Sequence, residues 1–342
     1  MDPADASPDA AVAAAAYTAL FNYFPSAALT TTYNNYVAAL PAAGKDAGVA
    51  IGIAAAQDII GFRASDGRDA VITTPYGQGP VTAGVWTFPP SPSLQSAQTP
   101  WAAFMTPFML DSPSQFRPGP PLDIGSNKYA TQLAELEAYG GALGTPGSLR
   151  TSDETDIAWF WNGNAINQVN QTTRDLATAH GFDLVETTRA LAMDDLVDSD
   201  SGIACWDAKY HYTFWRPVTA IQHADIDGND QTTANSNWTS LITTPNHPEY
   251  PAAHGCLTSA DAEVDAKLLD THRIEVDIPG ATGGGTALTT SRHYATVEDL
   301  DHEIVNARVW AGLHFRYSGK AGVKLGRDVA HWTLDRYFLP TN

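Results

Sequence analysis

Three short patterns with chemical potential follow one another in the last third of the chain: Lys209-x6-Arg216-Pro217, then Pro251-Ala252-Ala253-His254, then Arg308-x5-His314. Together they supply three cations and two histidines. A tetrahedral or trigonal-bipyramidal oxyanion such as phosphate or vanadate spreads its charge over several oxygens, and each oxygen needs a fixed donor. Lys209, Arg216 and Arg308 are the candidates for that task. The two histidines divide the chemistry: one attacks or coordinates the central atom, and the other moves a proton on its opposite side. Each pattern alone is commonplace, because short motifs match freely and a histidine near a helix start is more often structural than catalytic. Their joint occurrence singles the region out. His180, His211, His223, His272, His293, His302 and His331 have no such context and read as surface or core residues. Asp225-x-Asp227-Gly228-Asn229-Asp230 lacks the downstream glutamate of a calcium loop and reads as a polar turn.

Composition sharpens this reading. The chain has 19 Lys and Arg against 38 Asp and Glu, a formal net charge of −19. Only six residues are lysine, so Lys209 is not part of a general basic face. An acidic chain repels nucleic acid and anionic membrane surfaces, which leaves a small substrate. A cationic pocket inside it still binds an anion, since the global field is screened beyond about 10 Å. With 342 residues and 44% apolar composition the chain can bury a substantial core. No apolar run approaches the roughly 20 residues that span a bilayer. The alanine-rich opening Ala10 to Ala16 is short and has no basic flank, so it does not read as an export signal. Scarce lysine, abundant Thr and Asn and the acidic balance lean towards an extracellular protein with its signal removed, with a cytoplasmic one as the alternative. Cys205 and Cys256 each flank a motif, which allows a disulfide, but two buried thiols are the preferred reading.

The elements that must position these residues are helical. Amphipathic periodicity predicts helices at Pro8 to Tyr23, Leu29 to Ala42 and Gly44 to Ala64, then a Pro-, Gly-, Ser- and Thr-rich stretch from Asp66 to about Ile124 with little regular structure. Helices resume at Lys128 to Gly140 and, after a cap at Ser152, run to Gln222 with breaks around Gly163, Gly181 and Asp198 to Gly202. Others follow at Cys256 to Leu269, Thr296 to Leu313 and Ala321 to Tyr337, with no convincing strand pairs. The fold class is all-α. Residues 1–150 form a helical layer with a wrapping loop, and residues 151–342 form the bundle that carries the oxyanion site.

On these elements the motifs can converge. Lys209 and Arg216 lie about 20° apart on a helix and about 10 Å along it, so both reach one anion. Pro217 pushes Arg216 out of the α region and places it at a helix end. His254 opens a helix whose first N–H groups face an anion readily. Arg308 and His314 differ by about 120° on an ideal helix, so His314 belongs beyond its end, after Gly312.

With these motifs the chain resembles the superfamily of vanadium-dependent haloperoxidases and type 2 phosphatidic acid phosphatases, in its soluble bacterial branch. The likeness runs from about Ser152 to Tyr337, through Trp206-Asp207-Ala208-Lys209 and Phe214-Trp215-Arg216-Pro217, and Asp111 to Pro118 also resembles soluble members. The resemblance implies two four-helix bundles. It puts Lys209, Arg216 and Arg308 on the equatorial oxygens of vanadate or phosphate. It makes His314 the metal ligand or phosphate nucleophile, and His254 the acid–base residue. Two departures stand out. The family's Pro-Ser-Gly-His is Pro251-Ala252-Ala253-His254 here, so a hydroxyl donor is missing and the N–H of Ala253 is left to donate. The family's serine before the arginine and aspartate four after the histidine are Ala307 and Ser318, so a partner for His314 must come from elsewhere.

The resemblance implies a vanadate-dependent haloperoxidase, in which hydrogen peroxide and halide yield hypohalous acid for an organic acceptor. Trp206 resembles the chloroperoxidase branch and His247 the bromoperoxidase branch, as candidates near the halide. Two alternatives share the pocket: an acid phosphatase that hydrolyses a phosphate ester through a phosphohistidine on His314, and a degenerate oxyanion binder, for which the double alanine speaks. Family members often form homodimers, and no coiled-coil signature marks one here.

Overall fold

The computed structural model describes residues 5–89, 96–280 and 287–339. Among these residues the chain forms eleven α-helices: α1 (Pro8–Tyr23), α2 (Ala27–Ala39), α3 (Lys45–Phe62), α4 (Asn127–Tyr139), α5 (Ser152–Phe160), α6 (Ala165–Ala179), α7 (Leu184–Tyr212), α8 (Pro217–Gln222), α9 (Ala253–Leu269), α10 (Val297–Trp310) and α11 (Arg316–Leu334). No described helix is long and apolar enough to cross a membrane. The chain divides into two compact units, one running to Asp66 and adding Ala177–Arg189, the other made of Gly67–Leu176 and the residues from Ala190 onward.

In the smaller unit α1 starts on Ser7, whose hydroxyl accepts the Ala10 N–H, with Pro8 in its first turn. It meets α3 through small side chains, Ala10 and Ala14 against Gly48 and Gly52.

The larger unit holds the candidate site, and its helices approach closely for the same reason. A Cβ on Gly326 would overlap the carbonyl of Cys256, and one on Gly322 would overlap that of Ala252. These glycines let α11 lie directly against the start of α9, the turn that carries His254.

The expected loop between Asp66 and Ile124 has only a short 3-10 turn at Pro100–Phe104 and isolated bridges among its described residues. It is anchored to the bundle. Asp200 of α7, fully buried, accepts the N–H groups of Phe108, Met109 and Leu110 at 2.6, 2.7 and 3.0 Å. Arg117 grips Asp207 with two bonds of 2.7 and 2.8 Å.

That anchoring corrects one expectation. The polar run Asp198 to Gly202 reads as a helix break, yet α7 continues through it, because its carboxylates face inward and Asp200 satisfies loop amides instead of forming a turn. A second correction is a small antiparallel pair, β1 (Val276–Pro279) with β2 (Ser291–Tyr294), in register Val276 to Tyr294. Four-residue strands are too short to show a period of two. Helix α11 also begins earlier than its periodicity suggests, at Arg316.

Candidate active site

Each cation is delivered by the end of a helix. Lys209 stands in the last turn of α7. Arg216 precedes α8 in extended conformation, as the residue before a proline must. Arg308 ends α10, and Gly312, with φ of +74°, turns the chain so that His314 lies between α10 and α11. His254 is the second residue of α9, after Ala253, and the capping position Ala252 has no side chain to bond the first turn. The N–H groups of that turn are therefore left for other acceptors.

Lys209, Arg216, Arg308 and His314 are all buried. Lys209 Nζ donates to the carbonyls of Pro248 and Glu249, each at 3.0 Å, and to that of Pro251. Arg216 donates to the carbonyls of His247 at 2.9 Å and Leu313 at 3.0 Å, and one of its terminal nitrogens lies 3.1 Å from His314 Nε2. Arg308 donates to the carbonyl of Trp161 at 2.6 Å, and its Nε, also buried, has no protein partner. Trp161 and Gly163 belong to the turn between α5 and α6, and the Gly163 carbonyl lies 3.3 Å from His254 Nε2. One turn thus places both Arg308 and His254.

The chain's own residues decide both tautomers. A guanidinium only donates, so His314 Nε2 accepts from Arg216 and the proton sits on Nδ1. A carbonyl only accepts, so the Gly163 contact places the His254 proton on Nε2 and leaves Nδ1 unprotonated. Burial, reinforced by Arg216, holds His314 well below the ordinary histidine range. Burial and then Arg308 do the same for His254. Both surroundings favour the neutral ring. Burial also lowers Lys209 to about 8, Arg216 to about 10 and Arg308 to about 9.

Sequence reasoning misses the carboxylate of this site, Glu249. It is fully buried, and its Oε1 lies 2.9 Å from His314 Nδ1 while also accepting the Phe315 N–H at 3.0 Å. Its Oε2 accepts the Ser318 hydroxyl at 2.7 Å. Burial lifts Glu249 to about 7 against the pull of Ser318, Arg216 and Lys209. The only signal in the sequence is indirect: His314 lacks the family's aspartate four residues on, so some other carboxylate is wanted. The turn at Trp161 to Gly163 left no signal at all, since it contributes only carbonyls.

Trp206 and His247 stand side by side with ring centres 5.2 Å apart, and His247 nitrogens lie 3.1 and 3.3 Å from Arg216. Lys209 Nζ is 5.9 Å from the Trp206 ring. Cys205 and Cys256 are free and buried, with the sulfurs 2.7 Å apart.

A family model described as the VCPO second helical-bundle domain matches residues 189–339, the stretch that carries all five motif residues. Over this region the chain is similar to the vanadium haloperoxidases. It is 22% identical over 282 residues to the vanadium chloroperoxidase of Curvularia inaequalis, covering 64% of this chain and 46% of that protein. The chain thus spans about half the length of this curated relative. The crystal structure of a bacterial vanadium-dependent iodoperoxidase is similar with a TM-score of 0.76 at 22% identity, covering 94% of this chain and 79% of that one. A holo-type bacterial vanadium-dependent chloroperoxidase gives 0.72 at 19% identity, covering 96% and 82%. These structures show the fold, the helical vanadium haloperoxidase architecture implied by the sequence.

The donor set suits vanadate. Three buried cations act on His314 against the one carboxylate bonded to it, Glu249, and buried charge without a partner is costly, so an anion fits where a bare metal cation would not. No group of three or more His, Cys, Asp or Glu among the described residues is placed to hold a metal ion by itself. One neutral imidazole nitrogen beside fixed cations is the arrangement an oxyanion of vanadium needs.

Proposed function

We propose that the chain is a vanadate-dependent haloperoxidase. The observation that carries this reading is the excess of buried cations around the basic nitrogen of His314. Lys209, Arg216 and Arg308 would hold the oxyanion by charge, and His314 Nε2 would be its ligand. Bound vanadate supplies a Lewis acid that polarises hydrogen peroxide for attack by halide. His254, neutral and with Nδ1 unprotonated, is prepared to take a proton from peroxide. Trp206 and His247, beside Arg216, line the side on which a halide would be held. The organic acceptor, an extracellular location and a homodimeric state remain parts of this proposal.

The same Nε2 lone pair favours a second reading, hydrolysis of a phosphate ester through a phosphohistidine on His314. That reaction needs His254 as an acid toward the leaving group. Its burial beside Arg308 disfavours the protonated form from which that step starts, whereas proton transfer from peroxide starts from the neutral ring. The degenerate reading rests on Ala252 and Ala253.

The test is one purified sample, with and without orthovanadate, assayed for peroxide-dependent bromination and iodination and for hydrolysis of a chromogenic phosphate ester. Halogenation that needs vanadate and vanishes in His314→Ala supports the proposal. Ester hydrolysis inhibited by vanadate replaces it with the phosphatase, and silence in both assays favours the degenerate binder.

A further inference from the structure

We propose that Glu249 is the positioning residue for His314: its carboxylate fixes the proton on Nδ1 and thereby turns the Nε2 lone pair toward the oxyanion pocket. This rests on the reading of His314 as the vanadate ligand. In the family pattern that task falls to an aspartate four residues after the histidine, where this chain has Ser318. Here the task is split between two residues. Glu249 brings the charge from the proline-rich loop, and Ser318 holds it in place.

The carboxylate has no freedom to do otherwise. Oε1 receives His314 Nδ1–H at 2.9 Å and the Phe315 N–H at 3.0 Å, and Oε2 receives the Ser318 hydroxyl at 2.7 Å. Phe315 is the capping position of α11 and offers no side-chain cap of its own, so Glu249 also occupies the positive end of that helix. Its backbone is held equally firmly. The Glu249 N–H donates to Phe214 at 2.9 Å and its carbonyl accepts from Lys209 Nζ at 3.0 Å. Glu249 thus ties the cation on α7 to the histidine before α11. On the far side of the ring Arg216 allows only an unprotonated Nε2. Partners of this kind orient a ligating imidazole and raise its donor strength, and their loss typically costs about 10–100-fold in affinity.

A residue that only filled space or capped α11 would give the same contacts, so the test must separate the roles. The first measurement uses the unaltered protein: nitrogen-15 spectra of labelled histidine, with His314→Ala to assign the signal. A protonated Nδ1 and bare Nε2 are expected, and the opposite tautomer would overturn the proposal without any Glu249 variant. The second compares orthovanadate and inorganic phosphate binding in Glu249→Gln and in Glu249→Gln/Ser318→Asp. Vanadate draws on the Nε2 lone pair, whereas phosphate is held by the cations alone. The single variant should lose at least about tenfold in vanadate affinity and less than about threefold in phosphate affinity, with the double variant regaining most of the loss. An equal fall for both anions, or no fall for either, would make Glu249 merely structural. A parent protein that binds phosphate but not vanadate would sink the peroxidase reading instead, while the tautomer measurement still decides the role of Glu249.

Discussion

Arg216 and His314 meet at 3.1 Å, guanidinium nitrogen to imidazole Nε2, although 98 residues separate them in the chain. A cation that can only donate faces the one nitrogen that must stay unprotonated for nucleophilic or ligand chemistry. The contact therefore does two things. It excludes the wrong tautomer, and it places a fixed positive charge where an oxyanion on Nε2 would carry its negative oxygens.

Replacing Arg308 by lysine tests the pocket without removing its charge. Lysine cannot both keep the 2.6 Å bond to the Trp161 carbonyl and offer further donors in the guanidinium's fork. A loss of about tenfold or more in phosphate affinity is expected, corresponding to one charge-assisted hydrogen bond. Isothermal titration measures it, and an unchanged affinity would place Arg308 outside the pocket.

Ala252 and Ala253 mark the departure from the family's Ser-Gly. Ala252→Ser/Ala253→Gly is expected to restore a hydroxyl donor and strengthen phosphate binding by about tenfold or less, the worth of one neutral hydrogen bond. Halogenation that appears only in the double variant would establish the parent as a degenerate binder. Equal activity in both would count against that reading.

How much of this was legible before the structure depends on what each residue needs from its neighbours. The cations and histidines announce themselves, because a charged group in an acidic chain at motif spacing has few other uses. The turn after Gly312 was also readable, since 120° of helical mismatch must be resolved somewhere. Glu249 was not, for its partner lies 65 residues away in sequence and nothing local distinguishes it from a solvated glutamate. Asp198 to Gly202 misled for a related reason: inward-facing aspartates look like a polar turn until the loop amides bound by Asp200 are seen.

Those aspartates give a pH dependence of stability. Burial, then Asp194 and Asp195, lifts Asp198 to about 8, and burial with neighbouring carboxylates lifts Asp261 and Asp265 well above the usual range. Asn170 and Thr173 of α6 are the neutral groups that face the cluster. A carboxyl group with a raised folded pKa binds its proton in the native state. Its contribution is complete below the unfolded value of about 3.9 and is lost as pH rises through the folded value. The urea midpoint is expected to fall between pH 5 and pH 8.5, and Asp261→Asn is expected to flatten that fall. An identical slope in the variant would assign it to the net charge of −19 instead.

Gly326→Ala tests the close approach of α11 to α9. Alanine favours an isolated helix by about 1 kcal/mol, but here its methyl group would overlap the Cys256 carbonyl. Overpacking of this kind costs about 1–3 kcal/mol, so a net loss of stability is expected in urea unfolding. A stabilised variant would mean that the two helices are further apart.

The most direct measurement is equilibrium binding of orthovanadate to the purified chain, with phosphate as competitor and His314→Ala in parallel. One vanadate per chain, displaced by phosphate and weakened in the variant more than phosphate binding is, would agree with buried cations gathered around a basic His314 nitrogen. No binding of either anion at millimolar concentration would contradict it.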